Sequence, residues 1–401
     1  MNRHRFPLWL ILLAALAQTA CSARPLPLPG LDPARRDSLA AWLEAHGRSP
    51  EDYILSLFDT RDVVLVGEYH RIRHDEQLVQ ELVRRLPAAG VEVFAWEFAR
   101  REDQPLLDSL MSGAAWDEAL AREILFRGFV HWGYQDYEDI LHAAWEANRA
   151  RPAGAPPLRV IGVNDSPDWT LFKTPADRDD DKLRRAVWQG GGERYWGQAV
   201  VDQVAQGRKV LVHSGIHHAF SAYGQPIVVD GKFIRHEEDR MGQHVRAALG
   251  DRVATVYLHA PWPGRAGYDV DDVRPVEGVI DALLAGLPAD KRRVAFDTRG
   301  TPFGALPARD AVYSQGYDAF TLADFCDGYV CQALFDDYQG VQVIPGFINL
   351  ANLERARQGT PNPSLRDWDV ERFMRDLEEE ADPARFAPLR TRGAGHQKKK
   401  L

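Results

Sequence analysis

Five short apolar runs in this chain each end beside a polar residue that can hold a proton or a metal. The runs are Asp62–Gly67, Val91–Trp96, Arg159–Val163, Lys209–Val212 and Arg252–Leu258. Runs this short and this rich in Val, Ile and Leu are typical of strands buried on both faces of a parallel sheet. The carboxyl ends of such strands share one edge of the sheet, where ligands bind. We therefore expect the polar residues that follow the runs to converge.

Segments with helical spacing separate these runs. Apolar residues recur one turn apart between Asp75 and Leu86, and further helices are predicted at 104–111, 116–124 and 136–148. Additional strands are predicted at 293–296, 319–322 and 340–344. Alternating strands and helices favour right-handed parallel crossovers. The predicted fold class is α/β, with a mainly parallel central sheet, flanking helices and a helical insertion.

The N-terminus has the form of a secretory signal. Residues 1–20 combine Arg3 and Arg5 with an apolar stretch and small residues near Ala20. Cys21 stands where a lipoprotein signal places its lipidated cysteine, and cleavage near Ala23 without lipid is the alternative. The predicted location is the cell envelope, with the protein anchored through Cys21 and facing the periplasm.

Three regions follow the signal, and the second of them contains an insertion. Residues 21–50 are predicted to form a tether and an N-terminal helix, and residues 51–380 an α/β domain. Residues 166–208 lack a strand pattern and are interpreted as a helical insertion, either a lid or an ordinary pair of surface helices. Residues 381–401 are predicted to be a flexible tail.

Charge and cysteine content limit the partners. The formal net charge of −9 argues against nucleic acid, because phosphate binding needs a basic surface. The expected partners are a small-molecule or peptide substrate, or haem. Cys326 and Cys331 flank a turn signal at Asp327-Gly328, so a disulfide and two separate buried thiols are both open.

The exit from the first run carries the densest set of polar residues. Glu68 and His70 follow Gly67, and His74 lies just before the predicted helix. Free backbone N–H groups at a helix N-terminus stabilise negative charge there. The spacing of His70 and His74 is compatible with metal binding, although surface or helix-capping histidines are the alternative.

Glu97 follows the second run directly, and its neighbours in the sequence are apolar. It follows Phe94, Ala95 and Trp96 and precedes Phe98, a setting suited to general acid or base chemistry. A structural ion pair with Arg100 or Arg101 is the other interpretation.

A histidine cluster follows the fourth run, in the segment 210–220 that reads VLVHSGIHHAF. It contains His213, His217 and His218. Ser214 lacks the glycine pattern of a hydrolase nucleophile elbow. Asn164 and Asp165 are assigned supporting roles along with His74, His213 and His217, and His259 is interpreted as a bystander.

Taken in order, these motifs resemble a known superfamily. V-G-E-x-H ends at His70, A-x-E-F contains Glu97, I-G-V-N-D ends at Asp165, and G-x-x-H ends at His218. The order resembles the superfamily of ChaN-type haem-binding lipoproteins, erythromycin esterases and TIKI/TraB metalloproteases. The segments 129–148 and 240–245 extend the resemblance, which is greatest to the ChaN-type envelope lipoproteins.

The resemblance implies one cleft with four catalytic residues, Glu68, His70, Glu97 and His218. It implies a hydrolase of ester, lactone or peptide bonds, with or without a divalent metal on His70 and His218. The alternative is a haem- or iron-binding lipoprotein without catalysis. For haem, the candidate contacts are Tyr69, Tyr134 and Tyr137.

Overall fold

A computed structural model describes residues 27–268 and 270–391. The predicted signal at residues 1–20 and the candidate lipidation site Cys21 lie outside the described residues. Lipid attachment and the envelope location therefore stay predictions. Within the described part of the chain, none of the helices has the length and apolar character needed to cross a bilayer.

The centre of the molecule is a seven-stranded sheet, and two small antiparallel hairpins lie outside it. The strands are β1 (Val63–Glu68), β2 (Val93–Arg100), β3 (Arg159–Asn164), β4 (Val210–Gly215), β5 (Gln225–Val229), β6 (Lys232–Glu237), β7 (Val253–Leu258), β8 (Trp262–Pro263), β9 (Asp272–Val273), β10 (Val294–Asp297) and β11 (Gly328–Cys331). The sheet order is β10-β11-β7-β1-β4-β2-β3, and only the β10–β11 pair among these neighbours is antiparallel. The predicted α/β class and mainly parallel sheet are confirmed.

Helices cover both faces of this sheet. They are α1 (Pro33–His46), α2 (Pro50–Leu57), α3 (Arg73–Arg85), α4 (Gln104–Ser112), α5 (Glu118–Gly128), α6 (Gln135–Ala150), α7 (Asp181–Val187), α8 (Glu193–Ala205), α9 (Ile216–Ala219), α10 (Met241–Leu249), α11 (Val279–Ala285), α12 (Leu322–Phe325), α13 (Leu353–Gln358) and α14 (Val370–Ala381). The five apolar runs became the five adjacent parallel strands β7, β1, β4, β2 and β3.

The alternation of side chains along β1 divides the core into two layers. Val63 and Leu65 pack into one buried cluster, whereas Val64 and Val66 pack into the other, with the helices α3 and α6. Val66 is paired in register with His213 of β4, so His213 and Glu68 project toward the same face as Val66. The register therefore places an acid and an imidazole on the face that α3 covers.

Two predicted strands are wrong, and one strand of the central sheet was missed, as were the four short strands of the two hairpins. At 319–322 the chain instead begins α12, because Thr321 and Asp324 form a reciprocal N-terminal cap, with the backbone N–H of Thr321 donating to Asp324 Oδ2 at 2.9 Å. At 340–344 the chain makes isolated bridges to Ile72 and Tyr134 in place of a strand. The missed strand is β11, which lies between β10 and β7.

The two cysteines stand at either end of β11. Cys326 precedes this strand and Cys331 ends it, and both thiols are free and buried. Of the two interpretations, the separate thiols are the one observed, because the chain between them extends as a strand.

The predicted flexible tail begins too early. Residues 383–389 form a 3-10 helix whose Phe386 and Leu389 are buried against the body of the protein. The burial of these two apolar side chains holds the segment against the protein, although its place near the C-terminus favoured a flexible tail. Residues 392–401 lie outside the described residues.

Gly67 allows α9 to approach the end of β1. A Cβ atom on Gly67 would lie 2.4 Å from Ile216 Cδ1 and 2.9 Å from Ile216 Cα. We expect Gly67→Ala to lower the free energy of unfolding by about 1–3 kcal/mol, because the backbone of α9 would have to move. Chemical denaturation measures this change.

The matched control is Gly30→Ala, since no atom lies within 4 Å of a Cβ atom at Gly30. The control should change the free energy of unfolding by less than about 0.5 kcal/mol. Equal stability of the two variants would contradict the close approach of α9 to β1.

Candidate active site

A cleft of about 350 Å³ opens at the carboxyl ends of β1 and β4. Its walls come from the β1 exit loop, from α9, from the loop that follows β7 and from the C-terminal segment. The lining residues are Glu68, Tyr69, His70, Arg71, Gly215, Ile216, His217, His218, Pro263, Tyr268, Asp272, Tyr313, Glu380 and Arg385. The cleft thus lies at the sheet edge predicted from the five strand ends.

Glu68 and His70 form a hydrogen-bonded pair at the floor of this cleft. His70 Nδ1 lies 2.6 Å from Glu68 Oε1, which also accepts a hydrogen bond from the Tyr137 hydroxyl at 3.1 Å. Burial opposes ionisation of Glu68, but its interactions with Glu76 and His213 hold its pKa well below the usual range. An ionised Glu68 accepts a hydrogen bond from Nδ1–H of His70, which leaves Nε2 with a lone pair.

The imidazole of His70 is packed from the side by rings and by Gly215. Its ring centroid lies 5.0 Å from that of Trp132 and 5.6 Å from that of Phe98. A Cβ atom on Gly215 would lie 3.0 Å from His70 Nε2 and 3.6 Å from Glu97 Oε2. A glycine at position 215 therefore leaves room for the His70 ring and the Glu97 carboxylate beside the end of β4. The side chain of His70 remains 31% exposed, so it is accessible from the cleft.

Glu97 of β2 contacts both the last residue of β4 and the helix α9 that follows it. Its Oε2 accepts a hydrogen bond from the backbone N–H of Gly215 at 2.7 Å, and its Oε1 lies 3.4 Å from His218 Nε2. Arg100 pairs instead with Asp103, and Arg101 with Asp165. The structural ion pair weighed for Glu97 is therefore absent among the described residues.

His218 lies between two carboxylates. Its Nδ1 is 2.9 Å from Oε2 of Glu193, the first residue of α8, and Glu193 Oε1 accepts from Arg240 at 2.7 Å. Burial alone would lower the pKa of His218, but the charges of Glu97 and Glu193 raise it to about 9. Burial likewise opposes ionisation of Glu193, yet His218 and Arg240 lower its pKa to about 2. The array therefore presents an imidazolium to the cleft near neutral pH.

The neighbouring His217 has a different environment. Its Nε2 lies 2.9 Å from the hydroxyl oxygen of Tyr313, on the opposite wall of the cleft. Burial lowers the pKa of His217 to about 3, and the charges of Arg240 and His218 act in the same direction. His217 is thus a neutral hydrogen-bonding group beside a charged one.

A buried group lies directly behind the cleft floor. One ligand atom each from Glu68, Glu76 and His213 lies within 4.8 Å of the others, and all three residues are buried. Burial and the adjacent Glu68 carboxylate raise the pKa of Glu76 well above its usual range. These residues meet the proximity needed to hold a metal ion, whereas the metal role predicted for His70 and His218 stays a prediction.

The supporting residues are distributed more widely. Asp165 accepts hydrogen bonds from the backbone of Gly192 at 2.7 Å and from Trp196 Nε1 at 2.9 Å, which fixes the start of α8. Asn164 accepts from the backbone of Asp165 at 2.8 Å. Asp165 thus anchors the insertion, and neither residue is among those that line the cleft.

His74 and His259 lie away from the cleft. His74 meets the ring of Tyr338 edge to face, with ring centroids 4.7 Å apart. Burial lowers the pKa of His74 to about 3, and the charge of His259 acts in the same direction. His259 is fully buried, with Nε2 3.3 Å from Asp281 Oδ1. His259 thus lies outside the cleft lining.

Several cleft residues had no signal in the sequence. Glu193 lies in the insertion, and Arg385 lies in the segment assigned to a tail, where its guanidinium donates to the carbonyl of His70 at 2.7 Å. Arg71 has a positive φ of 71° and an ion pair with Glu380 at 3.1 Å. The run of three glycines at 190–192, directly before Glu193, is a sequence signal for the start of this helix.

Comparisons with known proteins agree with the motif order. Residues 54–167 match the family described as haem-binding uptake, Tiki superfamily, ChaN. None of the curated proteins matches the chain. This family match confirms the resemblance over the segment that contains Glu68, His70 and Glu97.

Three solved structures are similar to this chain at low sequence identity. A succinoglycan biosynthesis protein is 10% identical, with 78% of this chain and 100% of that chain covered and a TM-score of 0.51. ChaN of Campylobacter jejuni, solved with cofacial haem, is 16% identical, with coverage of 53% and 87% and a TM-score of 0.34. A mutant of erythromycin esterase EreC is 12% identical, with coverage of 74% and 95% and a TM-score of 0.44. The first of these likenesses shows the fold.

The two adjacent histidines should titrate far apart. We expect the ring of His218 to titrate near pH 9 and that of His217 near pH 3, as followed by NMR of the ring protons. Glu193→Gln removes one of the two negative charges beside His218, so the pKa of His218 should fall. A His218 whose pKa lies below the ordinary histidine value of 6.5 in the unsubstituted protein would contradict the double ion pair.

The same pair makes stability depend on pH. The folded state holds the His218 proton more tightly than the unfolded chain, so the stabilisation is complete below pH 6.5 and is lost as pH rises to about 9. The destabilisation caused by Glu193→Gln should therefore be larger at about pH 6 than at about pH 9.5.

Proposed function

We propose that this protein is a hydrolase of ester, lactone or peptide bonds whose reaction centre is the Glu68–His70 pair. The observation that carries the proposal is the 2.6 Å contact between Glu68 and His70 Nδ1 at the floor of an open cleft. A buried carboxylate that fixes one nitrogen of an imidazole leaves the other free to accept a proton. The sequence motifs support the same reaction class.

In this mechanism His70 is the general base. Its Nε2 takes a proton from a water molecule in the cleft, and the oxygen of that water attacks the carbonyl carbon of the substrate. The imidazolium formed at His70 is stabilised by the ionised Glu68 beside Nδ1. His70 then gives the proton to the leaving group as the bond between that group and the carbonyl carbon breaks, which releases the acid product and regenerates the neutral imidazole.

His218 supplies the positive charge that the transition state needs. It is held between Glu97 and Glu193 and stays protonated near neutral pH. A fixed cation facing a cleft stabilises the oxyanion that develops on the substrate carbonyl. Glu97 acts through His218 and through the backbone of Gly215, so we assign it a positioning role.

The proposal is tested with a panel of nitrophenyl esters, lactones and peptides, with and without Mn²⁺ or Zn²⁺. We expect His70→Ala to lower kcat/KM by about 10²–10⁴-fold, because general acid–base catalysis contributes this much. Glu97→Gln should also lower kcat/KM, because His218 loses one of the two carboxylates that hold its positive charge in the cleft. Thermal unfolding of each variant shows whether the fold is retained.

The control is His142→Ala on α6, whose side chain is 36% exposed and lies outside the cleft. It should leave kcat/KM unchanged. Turnover that persists at the original rate in His70→Ala would remove His70 from the mechanism.

A second candidate function is haem binding, which the family description of residues 54–167 favours. Of the three tyrosines considered, Tyr134 and Tyr137 are fully buried, and their hydroxyl groups donate to Leu377 and Glu68. Tyr69 lines the cleft beside Arg385, whose guanidinium carbon is 5.3 Å from the ring centroid. We therefore assign the haem contact of this second candidate function to Tyr69.

Titration of the purified protein with hemin tests this second candidate. A binder should give a saturable shift of the Soret band that Tyr69→Phe weakens, since phenylalanine keeps the ring and removes the hydroxyl ligand. Tyr195→Phe, at a tyrosine outside the cleft lining, is the matched control. A spectrum that does not change on titration would exclude haem as the ligand.

A further inference from the structure

Three side chains from separate elements meet behind the cleft floor and are completely enclosed. Glu68 ends β1, His213 lies within β4 and Glu76 lies in the first turns of α3, and each is at most 1% exposed. From this arrangement we infer that Glu68, Glu76 and His213 form a binding site for a divalent transition-metal cation. The site is distinct from the cleft pair His70 and His218.

The separations of the three groups fit shared coordination. His213 Nε2 is 3.4 Å from Glu68 Oε2 and 3.8 Å from Glu76 Oε2. Two ligands held about 2.0–2.2 Å from a tetrahedral ion lie roughly 3.3–3.6 Å apart. One distance falls in this range and the other is slightly longer, and the three ligand atoms all lie within 4.8 Å of one another.

Five polar atoms of these three residues have no hydrogen-bond partners among the described residues. These atoms are Glu68 Oε2, both carboxylate oxygens of Glu76 and both ring nitrogens of His213. A buried polar atom without a partner costs free energy, and five of them in one place are unusual in a native core. A bound cation would satisfy at least one atom from each residue.

Charge supports the same conclusion. Among the described residues, no Arg or Lys pairs with Glu68 or Glu76, whose ion pairs are with histidines. Two carboxylates buried together require compensation by a proton or by a cation. A divalent ion would neutralise both and would also accept the lone pair of His213.

The donor set indicates the class of metal. One imidazole nitrogen with two carboxylate oxygens suits Zn²⁺ or Mn²⁺ better than Ca²⁺ or Mg²⁺, which prefer oxygen alone. Tyr137 orients the set, because its hydroxyl donates to Glu68 Oε1 at 3.1 Å and leaves Oε2 directed at His213. Such hydrogen bonds to a ligand carboxylate are a regular part of metal sites.

Glu68 links this site to the cleft. It lines the cleft through the oxygen that faces His70 and meets Glu76 and His213 through the other oxygen. The inference does not rest on the proposed hydrolase, because the cation would bind whether or not the cleft turns over a substrate. The experiment therefore measures binding and stability without any substrate.

The test uses the whole folded protein, stripped of metal with a chelator and then titrated with Zn²⁺ and, in parallel, with Mn²⁺. Calorimetry and metal analysis should show one equivalent bound, and the added metal should raise the Tm. Glu76→Gln and His213→Gln should each weaken binding by more than the roughly 10–100-fold loss caused by removing a hydrogen-bond partner of a ligand.

Asp75→Asn is the matched control. Asp75 is also an acid on α3 and is also fully buried, but it is not one of the three grouped residues. It should bind the probe metal with the affinity of the unsubstituted protein. Circular dichroism shows whether each variant folds. The change in Tm when a chelator removes the metal is measured on the unsubstituted protein, so this test does not depend on the folding of any variant.

Two results would overturn the inference. If the unsubstituted protein binds neither Zn²⁺ nor Mn²⁺ and its Tm does not respond to them, a proton alone compensates the two carboxylates. If binding survives in Glu76→Gln and His213→Gln but is lost in His70→Ala and His218→Ala, the metal belongs to the cleft instead. Hydrolase activity enters neither result, so failure here and failure of the proposed function are distinguishable.

Discussion

The structure of the site depends on one buried carboxylate. Glu68 is enclosed at the end of the central strand β1, where one oxygen holds His70 and Tyr137 and the other faces His213. A carboxylate in that position costs several kcal/mol unless its neighbours compensate it. The rings and polar groups around it are arranged to do so, and this requirement fixes the orientation of the His70 imidazole in the cleft.

The insertion completes the second half of the cleft. Asp165 at the end of β3 fixes the start of α8, and α8 brings Glu193 to His218. Glu97, from β2, faces the same imidazole from the other side. One charged histidine therefore joins the sheet to the insertion, so the electrostatics of the cleft and the position of the helix are coupled.

Much of the fold was predictable from local pattern. The five apolar runs are the adjacent parallel strands of the sheet. They are recognisable in the sequence because a strand buried on both faces has no polar residues to interrupt it. The later strands were less predictable, since β11 spans only Gly328–Cys331 and its pairing depends on distant β7 and β10. The segment 319–322 shows the opposite case, where a local helix cap at Thr321 overrode an apolar pattern.

The sequence by itself determined which residues stand at the strand ends, and with them Glu68, His70, Glu97 and His218 as neighbours, because parallel strands share one edge. The tertiary structure alone decided the partners of those residues. Glu76 looks like an ordinary surface acid of a helix, and Glu193 lies in an insertion without a strand; contacts between residues far apart in sequence have no local signature. Packing of α3 and α8 against the sheet brought both acids to the histidines.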